Sequence, residues 1–105
     1  MARFDVYPNP GQQAKTTPYL LDVQSDLLDD LDSRVVIPLR DLDEFPKVNL
    51  PHRLTPVLTI EGADFLLETP KMAALPRSLL KSPVASLRDK QSQITAALDF
   101  LFQGF

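Results

Sequence analysis

The chain of 105 residues contains no cysteine and no tryptophan, and it has one histidine and three glycines. Without cysteine it can form no disulfide, no thiol nucleophile and no cysteine-based zinc site. The single histidine, His52, excludes a metal site that needs a histidine pair. The three glycines, Gly11, Gly62 and Gly104, are too far apart for a glycine-rich phosphate loop. We therefore expect no catalytic set, no metal and no cofactor.

Long hydrophobic runs are missing as well. The apolar runs span a few residues, far short of the roughly 20 that a transmembrane helix needs. A charged residue at position 3, with no apolar segment after it, is unlike a secretory signal. The net charge of −3 argues against a strongly basic nucleic-acid binder. We expect a cytoplasmic protein with one domain over residues 1–105, no membrane contact and no direct nucleic-acid binding.

The charge is unevenly distributed along the chain. Residues 22–44 hold eight acidic residues and two arginines, a net charge of −6. Residues 70–90 hold five basic residues and one acidic residue, a net charge of +4. These two stretches either steer an oppositely charged partner or form two ordinary solvated surfaces.

The ten prolines all lie between Pro8 and Pro83 and exclude long helices there. The proline-free end predicts a helix over about 86–103, which Gly104 would end. Ser86 and Asp89 resemble the start of a capping box. Apolar residues at helical spacing form the expected buried stripe: Leu87, Ile94, Leu98, Leu101 and Phe105, widened by Ala97 and Phe102.

The first part, about 1–83, is predicted to be a mostly antiparallel β-domain. Strands are expected at 3–7, 19–23, 34–39, 55–60, 63–67 and 78–80. Pro38 would mark a bulge or a strand end, and Glu61-Gly62 would form the two-residue turn of a hairpin. We expect one helical turn or a loop at 26–31, a loop at 41–53 and a short helical turn at 71–75.

Three groups of side chains are candidates for chemistry or binding. His52 beside Arg53 could act in acid–base catalysis, although a lone histidine there is more typical of a surface loop. Three aspartates, Asp29, Asp30 and Asp32, lack the glycine and terminal glutamate of a calcium loop, so a solvated turn is the better interpretation. Three phenylalanines, Phe100, Phe102 and Phe105, cannot all face one side of a helix. At least one is therefore expected either to be covered by a second subunit or the β-domain, or to form an exposed recognition patch.

Several stretches, taken together in one register, resemble the CcdB toxins. The matching stretches are F-x-V-Y at 4–7, D-V-Q-S-D-L-L at 22–28, V-I-P-L at 36–39, M-A-A-L-P at 72–76 and an aliphatic helix ending in F-Q-G-F at 102–105. The second and third at this spacing form a specific pattern, and the resemblance covers nearly the whole chain.

The resemblance implies a mainly β fold: a small SH3-like β-barrel with a C-terminal helix, of the type that CcdB shares with the MazF and Kid toxins. It implies a homodimer that performs no chemistry. Its target would be the A subunit of bacterial DNA gyrase, which CcdB toxins poison by trapping the cleaved complex with DNA. A CcdA-type antitoxin, whose disordered tail folds on binding, would neutralise it.

The resemblance also identifies a gyrase-binding end. The family's Trp-Gly-Ile terminus falls on Gln103, Gly104 and Phe105, so that only the glycine is retained. Gln103 in place of tryptophan and Phe105 in place of isoleucine are compatible with three outcomes: a weaker poison, a poison of a different gyrase, or a member that has lost its toxicity. Arg77 also stands where the family usually has an apolar residue.

Two alternatives remain at this point. One is an endoribonuclease of the MazF/Kid type, for which His52 and Arg53 would be the candidate catalytic residues. The other is a non-toxic relative that only binds an antitoxin.

Overall fold

The computed structural model describes residues 1–44 and 51–104, and it is mainly β. In these two ranges, seven antiparallel strands form a nearly closed, SH3-like barrel, and one α-helix follows them. The strands are β1 (Asp5–Pro8), β2 (Tyr19–Asp22), β3 (Ser33–Asp41), β4 (Val57–Ile60), β5 (Ala63–Leu67), β6 (Ala73–Pro76) and β7 (Ala85–Ser86), and the helix is α1 (Gln91–Gln103).

The nine-residue strand β3 organises the barrel. One side of it pairs with β2, and the other side pairs first with β6, over Ser33–Val36, and then with β5, over Leu39–Asp41. Pro38 lies between these two partners, and its carbonyl accepts a hydrogen bond from the backbone of Glu68. In a strand, the N–H and the carbonyl of one residue point to the same side, so the N–H that Pro38 lacks would face the gap between β6 and β5. Because no strand is paired there, the missing donor breaks no ladder hydrogen bond, and β3 continues through Pro38. The predicted strand end at Pro38 is therefore wrong.

The hairpin between β4 and β5 has the predicted two-residue turn. Both central residues have positive φ, 53° at Glu61 and 82° at Gly62. This is the pattern of the turns whose twist matches that of paired strands. The hairpin is confirmed, and the left-handed backbone of Glu61 is an added feature that glutamate rarely adopts.

Successive side chains of a strand point to opposite faces of the sheet. In the central strands, side chains on both faces are buried. One face meets α1 and the hairpin. Its buried residues include Val6, Leu21, Ile37 and Leu39, which share a cluster with Ile94 of α1. The other face carries Tyr7, Leu20 and Val36 and is covered by Leu80. The barrel thus has a main core and a smaller second core.

Ile37 lies in the main core with no exposed surface. The substitution Ile37→Ala removes buried methyl groups and leaves a cavity, so we expect it to lower the free energy of unfolding by about 2–5 kcal/mol. Denaturant unfolding measures this, with Val57→Ala, at an exposed position of β4, as the control, for which we expect less than about 1 kcal/mol. A similar small loss for both variants would contradict the packing described for β3.

The C-terminal helix begins later than predicted. Residues 85–86 are strand β7, Arg88–Lys90 form a 3₁₀ turn, and α1 starts only at Gln91. The hydroxyl of Ser86 accepts from the backbone N–H of Arg88 and caps no α-helix. Ile94 and Ala97 are buried as expected, whereas Phe102 is 71% exposed and does not widen the buried stripe.

Two short predictions in the segment after β5 are wrong. Residues 69–71 form a 3₁₀ turn, and 73–76 form strand β6 rather than a helical turn. Residues 77–79 form another 3₁₀ turn rather than a last strand. Residues 26–28 form the expected single turn. Of the loop predicted for 41–53, residues 42–44 form a 3₁₀ turn, and 45–50 lie outside the described residues.

Candidate functional site

The tail that follows α1 begins with a glycine cap. Gly104 has φ 80°, and its N–H donates to the carbonyl of Phe100 at 2.9 Å. A side chain added at Gly104 would meet no atom within 4 Å, so the left-handed backbone rather than lack of space favours glycine there. Gln103, the last helical residue, is exposed, and Phe105 lies outside the described residues.

The two terminal aromatics that the structure describes, Phe100 and Phe102, have different surroundings. Phe102 is exposed, and Phe100 is half-buried with the guanidinium of Arg53 over its ring, 5.3 Å from the centroid. A large apolar ring in water is costly unless a partner covers it. Phe102 beside Gln103 therefore makes the end of α1 a candidate binding surface.

The D-V-Q-S-D segment contains a buried ion pair. Neither Asp22 nor Arg34 has exposed side-chain surface. Arg34 Nε donates to Asp22 Oδ2 at 2.8 Å, and Arg34 Nη2 lies 2.6 Å from the same oxygen. Burial raises the pKa of the Asp22 carboxyl above its ordinary value, while the hydrogen bond from Arg34 acts to lower it. Sequence reasoning counted both residues in the net charge of residues 22–44 and did not predict that they pair.

The other residues of the D-V-Q-S-D segment make hydrogen bonds to β3 and to the turn at residues 26–28. Gln24 N–H donates to Asp22 Oδ1 at 3.0 Å, and Gln24 Oε1 accepts from the backbone N–H of Val35 at 3.0 Å. Ser25 caps the following 3₁₀ turn through Leu27 N–H. The D-V-Q-S-D residues thus build the strand end and present the loop that comes next.

We call residues 26–32 the leucine loop, because it exposes three leucines between aspartates. Leu27 is 94% exposed, and Leu28 and Leu31 are about half exposed. Arg77 holds this loop in place: its backbone N–H donates to Asp32 O at 2.8 Å, and its guanidinium donates to the Asp29 and Leu31 carbonyls. The arginine at the position where the family usually has an apolar residue is therefore a clamp between two segments of this chain.

The acidic and basic stretches meet within the protein. Arg77 lies 3.8 Å from the carboxylate of Asp29, and Arg88 lies 3.9 Å from that of Asp26. These ion pairs neutralise part of each stretch, and exposed ones contribute little to stability. Exposed acids such as Asp30 and Asp32 remain on the leucine loop.

The candidate acid–base pair is not assembled as one site. His52 is exposed, and the guanidinium of Arg53 lies against an aromatic ring.

Burial raises the pKa of Tyr7 to about 12, and the Asp5 carboxylate adds to the shift, so the Tyr7 hydroxyl stays protonated at neutral pH.

Within residues 1–44 and 51–104, no group of three or more His, Cys, Asp or Glu side chains is placed to hold a metal ion. The aspartates of the leucine loop form no such group, and the carboxylate of Asp29 pairs with Arg34 and Arg77. In the same part of the chain, no helix is long and apolar enough to cross a membrane.

A comparison with protein-family models gives a match over nearly the whole chain. The model described as "CcdB protein" matches residues 3–104. The matched range includes the buried pair, the leucine loop, β3 and all of α1.

Proposed function

The chain belongs to the CcdB family, the toxins of toxin–antitoxin modules, and from that premise we propose that it binds and poisons bacterial DNA gyrase. The observation that carries the proposal is the family match, which covers residues 3–104 of the 105-residue chain. The gyrase A subunit would be the binding partner, and the toxin would act in the cytoplasm without catalysis.

The end of α1 supports a binding role. Gly104 turns the backbone away from the helix axis, so the next residue can leave the protein surface. Phe105 would supply the apolar anchor that isoleucine supplies in the family, and exposed Phe102 offers further apolar surface at the end of α1. Gln103 offers hydrogen bonds but much less apolar area than tryptophan. We therefore expect a low affinity for a typical enteric gyrase.

A supercoiling assay with purified gyrase tests the proposal. We expect the toxin to inhibit supercoiling without cleaving RNA in a parallel incubation. Sequence-specific RNA cleavage that His52→Ala abolishes would instead establish the endoribonuclease alternative. Binding to an antitoxin without inhibiting gyrase or growth would establish the non-toxic alternative.

We propose that the toxin is a homodimer. Single exposed leucines are ordinary, but Leu27, Leu28 and Leu31 share one short loop, and a second subunit would shield apolar surface that a small domain cannot cover. Sedimentation at micromolar concentration is expected to give about twice the 11.8 kDa chain mass. A monomer under these conditions would contradict this proposal.

A CcdA-type antitoxin is the proposed second partner, and its association is expected to depend on charge. The exposed aspartates of the leucine loop would attract a basic segment of a disordered tail. Stopped-flow measurement should show an association rate that falls as salt rises. The double variant Asp30→Asn/Asp32→Asn should have a smaller salt dependence, with Gln12→Ala as the neutral control. A parental rate that does not change with salt would make these charges irrelevant to recognition.

A further inference from the structure

The last turn of α1, residues 100–103, contains no fully buried residue, although Phe100 and Leu101 are half-buried. The buried residues of the helix, Ile94 and Ala97, lie in its first half, and Phe102 and Gln103 are exposed. The last turn also contains no basic residue to interact with the negative end of the helix dipole. A helix of this length is marginal without tertiary contacts, so its end would fray unless another segment held it.

Arg53 supplies such a contact from a different segment. Its guanidinium lies over the Phe100 ring, within the range in which a cation is attracted to an aromatic face. The same guanidinium brings a positive charge to the helix end that has none. Phe100 is also the residue whose carbonyl accepts the capping N–H of Gly104.

The turn that carries Arg53 is tied to the barrel. The backbone N–H groups of Leu54 and Thr55 donate to Pro51 O at 3.0 and 3.1 Å, and Thr55 is buried. Leu67 N–H in β5 donates to Pro56 O at 3.0 Å. Arg53 therefore extends from a hydrogen-bonded turn on the hairpin, which can hold the helix end against the barrel.

We infer that Arg53 is a positioning residue for the described part of the C-terminal tail, Gln103 and Gly104: by stacking on Phe100 it fixes the last turn of α1 and with it the Gly104 cap. This inference rests on the proposed gyrase function for its consequence but not for its geometry. A tail fixed before binding loses less conformational freedom on binding, which raises affinity.

The test uses Arg53→Ala, Arg53→Lys, Phe100→Leu and the double variant Arg53→Ala/Phe100→Leu in the full chain. Lys15→Ala, which removes an exposed cation from the loop between β1 and β2, is the matched control. The first readout is hydrogen exchange of the Gly104 amide by NMR. The second is affinity for a purified gyrase A fragment, measured by calorimetry.

We expect Arg53→Ala to speed exchange at Gly104 and to weaken gyrase binding, each about two- to fivefold, the range for one exposed cation–π contact. Phe100→Leu should do the same, the double variant should add nothing further, and Arg53→Lys should restore part of the effect. Lys15→Ala should match the parent in both measurements.

Unchanged exchange at Gly104 in Arg53→Ala would overturn the inference. Faster exchange with unchanged affinity, in a parent that binds gyrase, would also overturn it, because the contact would then stabilise the helix end without serving binding. A parent that does not bind gyrase would overturn the proposed function, and the exchange data would still decide whether Arg53 holds the tail.

Discussion

Replacing Arg34 with methionine is expected to lower the free energy of unfolding by about 3–5 kcal/mol. Methionine has similar length but no charge, so Asp22 would keep a fully buried carboxylate without its partner. The variant also loses the hydrogen bonds from Arg34 to Asp29 and to Gln24 O. Few surface substitutions approach this cost.

The matched control is Arg88→Met. Arg88 is exposed and lies 3.9 Å from Asp26, so we expect its loss to cost less than about 1 kcal/mol. The double variant Arg34→Met/Asp22→Leu should be more stable than Arg34→Met, because it removes the unpaired charge. Urea denaturation of the four proteins decides the question, and equal losses for Arg34→Met and Arg88→Met would contradict the buried pair.

Deleting residues 103–105 is expected to weaken gyrase inhibition by at least about 30-fold, the size of a binding hot spot. The deletion removes the candidate contact residues and the glycine cap but no buried residue of α1. The barrel should therefore stay folded, with unchanged circular dichroism and unchanged sedimentation.

The opposite change should strengthen the toxin. Gln103→Trp adds a large flat ring at an exposed position next to Phe102, and it should raise inhibition at least about tenfold. Equal inhibition by the parent and the truncated form would show that the tail is not the recognition element.

The sequence predicts the fold where one local signal dominates. The alternation in β1 and the apolar, β-branched run in β3 predict these strands, the Glu61-Gly62 turn predicts the hairpin, and Gly104 predicts the helix end. Strand β6 is not predicted because its conformation depends on pairing with β3 and not on local pattern. The helix start was predicted too early because β7 is a two-residue strand that exists only through its pairing with β1.

The candidate site was predictable only in part. The resemblance identified the tail, but an exposed Phe102 could not be distinguished from a buried one by helical spacing. Alternation in β3 offered an unused signal for the buried pair, because Arg34 shares the face of Val36, which is buried against Tyr7 and Leu20. The clamp by Arg77 joins residues more than 40 positions apart and has no local signature.

The most direct test of the central claim, that this chain is a gyrase poison, is the accumulation of cleaved DNA. Supercoiled plasmid is incubated with purified gyrase, ATP and the toxin at micromolar concentration, and then treated with detergent and protease. The account predicts that linear plasmid accumulates in a toxin-dependent manner, more with Gln103→Trp and none with residues 103–105 deleted. The absence of linear plasmid with both the parent and Gln103→Trp, in a reaction where a known gyrase poison produces it, would contradict the account.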